Sequence, residues 1–274
     1  MKIRQLLEQV YQKLSSVGIE DKAESEWLIC LALNIKRSQI NSDLEIDENQ
    51  ISKIDEIVQE RKKHKPLSYI LGSAEFYGYE LFVDQNVLIP RPETEELVEL
   101  AIPFISKESK VLDIGTGSGA IAIAIQKQTN SQVCAVDISQ SALEVAKKNA
   151  EKNNAKIEFI CSNVFQNLKG QKFDIIISNP PYITQDEFEE LMPEVKNFEP
   201  KLALTCDDEG LEIYKKIIKD APKHLNKNGK IMFEIGCNQA SQICSLLKEN
   251  FKEIVVKKDL QGLDRMVYAT IKEK

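Results

Sequence analysis

The chain has 274 residues, with 43 acidic side chains against 36 basic ones and a formal net charge of -7. Both signs are mixed along the chain, which argues against unaided binding of a long phosphate backbone. The length accommodates a domain of ordinary size carrying a smaller one.

The six cysteines (Cys30, Cys134, Cys161, Cys206, Cys237, Cys244) form no CxxC pair and are read as reduced core thiols. Neither His64 nor His224 stands at a metal-binding spacing, so no metal is expected. Charge interrupts the apolar pattern of Met1 to Val10, whereas a signal peptide needs an unbroken hydrophobic region and a membrane span needs roughly 20 apolar residues. A cytoplasmic protein without membrane association is therefore expected.

In chain order, Ile3, Leu6, Leu7, Val10 and Leu14 recur at helical spacing and Gly18 ends the run. Helical runs follow around Trp27–Leu33 and Ile51–Val58. The basic run Arg61-Lys-Lys-His-Lys65 reads as the solvated end of a helix, its charges complementing the helix dipole. Ala74–Val83 mixes aromatic and β-branched residues around Gly78, which predicts a short hairpin at a domain boundary.

From Lys110 onward, apolar runs alternate with amphipathic stretches, the pattern of βαβ units in a mainly parallel sheet. The predicted strands are 110–114, 132–136, 156–161, 173–178, 230–235, 251–256 and 265–271. The predicted helices include 119–128, 139–153, 211–225 and 239–250.

Val111-Leu-Asp-Ile-Gly-Thr-Gly-Ser-Gly-Ala120 ends a strand and opens a helix, so Gly115, Gly117 and Gly119, with Thr116 and Ser118 between them, form a turn that a nucleoside ligand can approach closely. Asp137 ends the next strand, where a carboxylate can accept both ribose hydroxyls, although it is also suited to cap the next helix with Ser139. Asp113, directly before the glycine turn, would repel a pyrophosphate but can interact with the α-ammonium of S-adenosylmethionine, which favours that cofactor over NAD. Asn163 and Val164 follow the third strand, where folds of this kind hold an adenine.

Phe173–Ser178 is a buried strand followed at once by Asn179-Pro180-Pro181-Tyr182, whose prolines cannot continue it and make the turn stiff. An amide or aryl amine delocalises its nitrogen lone pair and attacks a sulfonium methyl poorly. The Asn179 side-chain oxygen and the Pro180 carbonyl, held rigidly, can accept hydrogen bonds from one NH2 group and turn the pair toward the methyl carbon. Tyr182 offers a ring on which a planar group can stack.

These residues resemble the release-factor glutamine methyltransferases, known as the PrmC or HemK family. The resemblance also includes Lys65-Pro-Leu-Ser-Tyr-Ile-Leu-Gly72, Glu75-Phe-Tyr-Gly78, Leu88-Ile-Pro-Arg-Pro-Glu-Thr-Glu95, Glu199-Pro200, Ala203-Leu204, Gly210-Leu211 and Phe233-Glu-Ile-Gly236. It implies an α/β architecture: a helical substrate-recognition domain (1–72), a connecting β-hairpin linker (73–90) and a seven-stranded class I, Rossmann-like methyltransferase domain (91–274) whose last strand is antiparallel.

It further implies that Gly115 to Gly119, Asp137 and the Asn163-Val164 region contact S-adenosylmethionine. Asn179 to Tyr182 would hold the glutamine of a release factor's Gly-Gly-Gln loop, and Arg91 and Glu95 would border the substrate as a lid or wall. The expected partner is thus a peptide-chain release factor, bound by a monomer without stable nucleic-acid binding. The alternative function is that of a DNA or RNA amino-methyltransferase, which uses the same Asn-Pro-Pro-Tyr chemistry on an exocyclic base nitrogen.

Overall fold

The computed structural model describes residues 1–40 and 44–273. It divides into two units, Met1–Gly72 with Met192–Phe198, and Ser73–Leu191 with Glu199–Lys274. Among the described residues, no helix is long and apolar enough to cross a membrane.

The first unit is built on α1 (Ile3–Ser15), α2 (Lys22–Leu33), α3 (Glu48–Lys62) and α4 (Leu67–Leu71). Ile3, Leu6, Val10 and Leu14 share one face of α1 and pack with Leu28, Ile29, Ile54 and Val58 in one cluster. Each such side chain, fully buried, contributes about 1.5–3 kcal/mol. Asp47 opens α3 with a capping box: its carboxylate accepts from Gln50 N at 2.8 Å, and Gln50 Oε1 accepts from Asp47 N at 3.0 Å.

The basic run at the end of α3 departs from the solvated-end expectation at its first residue. Arg61 is 2% exposed, its Nε donating to Glu24 at 2.5 Å and one Nη to Glu194 at 2.7 Å, with a further bond to Lys65 O at 3.1 Å. A buried guanidinium persists because its planar donors match carboxylates. Glu194 lies far along the chain, in the segment Met192–Phe198, which the sequence reading assigned to the methyltransferase domain but which clusters with the first unit.

In the second unit, β1 (Ser73–Phe76) and β2 (Tyr79–Phe82) pair as an antiparallel hairpin. The tight turn places Tyr77 and Gly78 at φ +52° and +75°. The hairpin is not a free linker: Phe76 and Leu81 are buried in the same cluster as Leu97, Val111 and Ile123. α5 (Pro92–Ala101) follows, with proline at its first position and acidic residues in its first turn.

The seven-stranded sheet comprises β3 (Lys110–Ile114), β4 (Gln132–Asp137), β5 (Ile157–Cys161), β6 (Phe173–Ser178), β7 (Leu225–Glu234), β8 (Phe251–Lys258) and β9 (Asp264–Ile271). Its spatial order is β5-β4-β3-β6-β7-β9-β8, with β9 antiparallel to both neighbours and the other neighbouring pairs parallel. β3, β4 and β6 are nearly continuous apolar runs because both sheet faces are covered. α6 (Ala120–Thr129) and α7 (Gln140–Lys152) follow β3 and β4.

Between β6 and β7 lie short turns of helix, α8 (Gln185–Glu189), α9 (Pro193–Phe198), α10 (Lys201–Leu204) and α11 (Asp207–Gly210), then α12 (Glu212–His224). α13 (Ala240–Leu247) links β7 to β8. Tyr214 on α12 is fully buried, and its hydroxyl donates to Glu234 O at 2.7 Å, so the ring contributes apolar burial without stranding a polar atom.

The chain runs outward from β3 to β4 and β5 and then returns to place β6 on the other side of β3. Such a switch point opens a crevice at the carboxyl ends of the strands.

The expectation that all six thiols are core residues needs correction. Cys30, Cys134 and Cys206 are buried, but Cys161 and Cys237 are exposed at or just beyond the ends of β5 and β7, where the strands give way to loops.

Candidate functional site

At the switch point, Ile114 and Ser178 are register partners, so the glycine turn and the Asn179 turn leave the sheet side by side. A cavity of about 520 Å³ opens there, lined by Gly115, Gly117, Asp137, Asn163, Asn179 and Pro181 among others. Its size suits a nucleoside ligand rather than an ion or a water molecule.

Gly115 and Gly117 have nothing within 4 Å of where a Cβ would project, which leaves the turn open to a ligand. Gly119 differs: its backbone is left-handed at φ +83° and a Cβ would lie 3.2 Å from Ala146 Cβ, so this glycine lets α6 approach α7. The turn is braced from a distance by Asn149 of α7, which donates to Ser118 O at 2.8 Å and exchanges hydrogen bonds with the Phe82 backbone.

Asp137 accepts from Gly117 N and Ser139 N, both at 2.9 Å, while Ser139 caps α7 by accepting from Ala142 N. The two readings of Asp137 are thus compatible: it ties two loops together, and a carboxylate has about four acceptor sites. Burial raises its pKa, opposed by the backbone donors of Ser139, Gly117 and Ile138.

Asp113 is fully buried, accepts from Thr116 Oγ1 at 2.6 Å through Oδ2, and has no hydrogen-bond partner at Oδ1 among the described residues. Burial pushes this carboxyl up to about 7, with the charge of Asp137 adding and the Thr116 bond opposing. Asp113 is not among the residues lining the cavity, but a fully buried carboxylate at the strand end before the glycine turn favours a cationic ligand group nearby. Together with an open glycine turn and an acidic strand end, it fits the ammonium, amino-acid and ribose parts of S-adenosylmethionine. Asn163 and Val164 line the far side of the cavity, Asn163 exposed and Val164 held at φ +51°.

Asn179 Nδ2 donates to Thr94 Oγ1 at 3.1 Å, which leaves Oδ1 as the acceptor this side chain can offer. Pro180 and Pro181 line the cavity beside it, and Pro181 O is itself engaged by the Cys206 thiol at 3.1 Å. Tyr182 is partly buried, packs against the core cluster that contains Tyr214 and Phe233 and is not among the residues lining the cavity. Burial pushes its phenol up to about 12, so it stays protonated.

Arg91 and Glu95 are held by partners of their own. Arg91 pairs with the buried Glu199 at 2.6 Å, Glu95 accepts from Tyr77 N at 2.7 Å, and neither lines the cavity. Between them in sequence stands the residue that matters locally, Thr94, which with Glu234 backs Asn179. Both belong to motifs visible in the sequence, but they stand 140 positions apart and nothing local pairs them.

Gln239 was likewise missed. It sits under the Asn179 turn, its Nε2 donating to Tyr182 O at 3.2 Å and Gly210 O at 3.3 Å and its Oε1 accepting from Gly236 N at 3.0 Å.

Comparison with known proteins agrees with this geometry. Residues 96–195 match the family model Methyltransferase small domain, and residues 5–72 match PrmC N-terminal domain. Among solved structures, a methyltransferase from Pyrococcus furiosus superposes with TM-score 0.55 at 22% identity, over 72% of this chain and 90% of that one. A 16S rRNA methyltransferase from T. thermophilus, solved with AdoMet and guanosine, gives 0.54 at 18% identity over 73% of this chain and 50% of that one. The fold and its crevice define a class I methyltransferase that uses S-adenosylmethionine.

Curated relatives narrow this further. Release factor glutamine methyltransferases from Geobacter sulfurreducens and Flavobacterium psychrophilum are 38% and 41% identical, over 97% of this chain and 95% and 98% of theirs. That from Lactococcus lactis is 45% identical over 92% of this chain and 95% of its own. The chain belongs to the release factor glutamine methyltransferase family.

Proposed function

We propose that the chain transfers a methyl group to the side-chain amide nitrogen of the glutamine in the Gly-Gly-Gln loop of peptide-chain release factors. One observation carries the chemistry: the Asn179 amide nitrogen is committed to Thr94, so the group it can present to a substrate is a hydrogen-bond acceptor. An acceptor is what an incoming NH2 group requires.

The roles assigned to the residues follow from their positions. Asp137 accepts from ribose hydroxyls with the acceptor capacity that Gly117 and Ser139 leave unused. Asp113, buried at the strand end before the glycine turn, acts on the ammonium through its charge, and Asn163 and Val164 flank the adenine. Gly115 to Gly119 give backbone room. S-adenosylmethionine supplies an electrophilic methyl group on a sulfonium sulfur.

Asn179 Oδ1 and the Pro180 carbonyl accept from the substrate NH2 and localise its lone pair. The stiffness of consecutive prolines holds those acceptors in place without reorganisation, and alignment supplies much of the rate. Once the nitrogen is alkylated its excess proton is strongly acidic and passes to water, so no general base is required at this step.

The test is methyl transfer from labelled S-adenosylmethionine to purified release factor, with mass spectrometry to place the label and a Gly-Gly-Ala loop variant as control. Label confined to the loop glutamine is the expected result. An unlabelled factor alongside labelled nucleic acid would instead identify a base amino-methyltransferase.

A further inference from the structure

We infer that Thr94 and Glu234 act as a polarity relay behind Asn179, fixing which end of its amide faces the substrate and so making the site selective for a hydrogen-bond donor. The inference rests on the methyl-transfer reading above and identifies two positioning residues for it.

The argument is one of proton inventory. Thr94 Oγ1 lies 2.6 Å from Glu234 Oε2 and 3.1 Å from the Asn179 amide. An ionised carboxylate has no proton to give, so in the Thr94–Glu234 bond the hydroxyl must donate. A hydroxyl has one proton. Having spent it on Glu234, Thr94 can only accept from Asn179, and the atom facing it must be the amide nitrogen. That contact demands a donor and leaves Oδ1 for the substrate.

Were the carboxyl protonated, the chain could run backwards. Glu234 would donate to Thr94, Thr94 to Asn179, and the side chain would turn to present NH2 to the substrate. An NH2 group cannot accept from a second NH2 group, and the site would lose its means of localising the lone pair. The charge state of one buried carboxylate, three hydrogen bonds from the substrate, thus sets the sense of recognition.

The surroundings fit this role. Thr94 and Glu234 are 5% and 2% exposed, so water does not compete for either bond. Glu234 is positioned by β7, and its backbone carbonyl is held by Tyr214 of α12. Burial pushes its carboxyl up to about 7, with the Thr94 bond and Arg265 of β9 opposing, Glu93 of α5 adding, and the Asn179 amide opposing. Tyr182 and Tyr214, the other titratable groups facing it, stay neutral throughout this range.

The test compares Thr94→Val, Thr94→Ser and Glu234→Gln with the wild type in two measurements. In the first, Thr94→Val lowers kcat for release factor by about tenfold or more while S-adenosylmethionine affinity stays within about twofold, and Thr94→Ser restores most of the loss. Wild-type kcat rises with pH through the titration of Glu234, and Glu234→Gln is both slower and flat across that range.

The second measurement needs no substrate. With asparagine nitrogen-15 labelling, the Asn179 side-chain NH2 resonances report slowed exchange in the wild type and Thr94→Ser, lose it in Thr94→Val, and titrate with Glu234. An Asn179 signal indifferent to both positions would overturn the relay whatever the enzyme's substrate proves to be. Equally, Thr94→Val turning over at the wild-type rate, or failing to be rescued by serine, would count against it. A wild type inactive on release factor but with the relay intact by resonance would refute the substrate instead.

Discussion

Ser178 Oγ donates to Ile114 O at 2.7 Å, joining the last residues of β6 and β3 where the two functional turns leave the sheet. The glycine turn and the Asn179 turn are thereby fixed to each other by one buried bond. Their relative position is a property of the sheet rather than of the loops.

Asn179→Ala removes the acceptor while leaving the neighbouring prolines in place. Methyl transfer should fall by about 10²-fold or more with cofactor affinity nearly intact, as for loss of other preorganised polar groups that act in the transition state. Steady-state kinetics beside calorimetric titration of the cofactor check this, and unchanged turnover would sink the mechanism.

Asp137→Ala should act on the other side of the cavity, weakening S-adenosylmethionine binding before chemistry is affected. It also frees the Gly117 and Ser139 amides, so some loss of thermal stability is expected in the ligand-free protein. A wild-type dissociation constant in this variant would remove the ribose assignment.

Gly210→Ala probes the floor of the Asn179 turn. The backbone there is left-handed at φ +77°, and a Cβ would lie 2.2 Å from Tyr182 O and 2.6 Å from Gln239 Nε2. Overpacking of this kind costs about 1–3 kcal/mol. Urea unfolding should register that loss, and kcat should drop more than cofactor affinity does, because the displaced carbonyl belongs to the turn. An unfolding midpoint equal to wild type would show that the turn yields freely.

Asp113 and Glu234 predict the pH dependence. Folding raises their pKa values from 3.8 and 4.5 to about 7, so between those limits the folded state holds protons that the unfolded state has released. Their contribution to stability is complete at acidic pH and is lost as pH rises through about 7. Asp113→Asn should flatten this decline in urea titrations of the ligand-free protein. An ammonium brought near Asp113 lowers its pKa, so cofactor binding slightly below neutrality should release protons. Calorimetry in buffers of different ionisation enthalpy reads that release, and binding heats independent of buffer would contradict the pairing.

Arg61→Ala should destabilise the first unit by about 3–5 kcal/mol, since it leaves Glu24 facing a buried void and Glu194 without its partner. Circular dichroism on heating checks it, and a change confined to surface-pair magnitudes would mean that water readily replaces the guanidinium.

What the sequence disclosed was what is encoded locally. The strands declared themselves as apolar runs, and the glycine turn and Asn179-Pro-Pro-Tyr182 concentrate their chemistry within a few consecutive residues. What it concealed was pairing across long separations. Arg91 and Glu95 stand four positions apart, yet Arg91 reaches Glu199 and Glu95 the hairpin backbone. The motif does not show that Tyr182 also packs against the core cluster beneath the turn, a contact made by residues distant in sequence. Thr94 and Glu234 were visible only as motif members, since nothing short of the folded sheet brings α5 against the end of β7.

The grouping of Met192–Phe198 with the helical unit changes what counts as a separable part of this molecule. The chain passes between its two units at Gly72–Ser73, Leu191–Met192 and Phe198–Glu199, not at a single hinge. Cutting at Gly72 therefore does not excise the helical unit cleanly. It strips Glu194 of Arg61 within the very excursion that joins the Asn179 turn to Glu199, the partner of Arg91. Exchange of the helical part between relatives should accordingly succeed only when both stretches travel together, and an evolutionary change in one is constrained by the other across more than a hundred intervening residues.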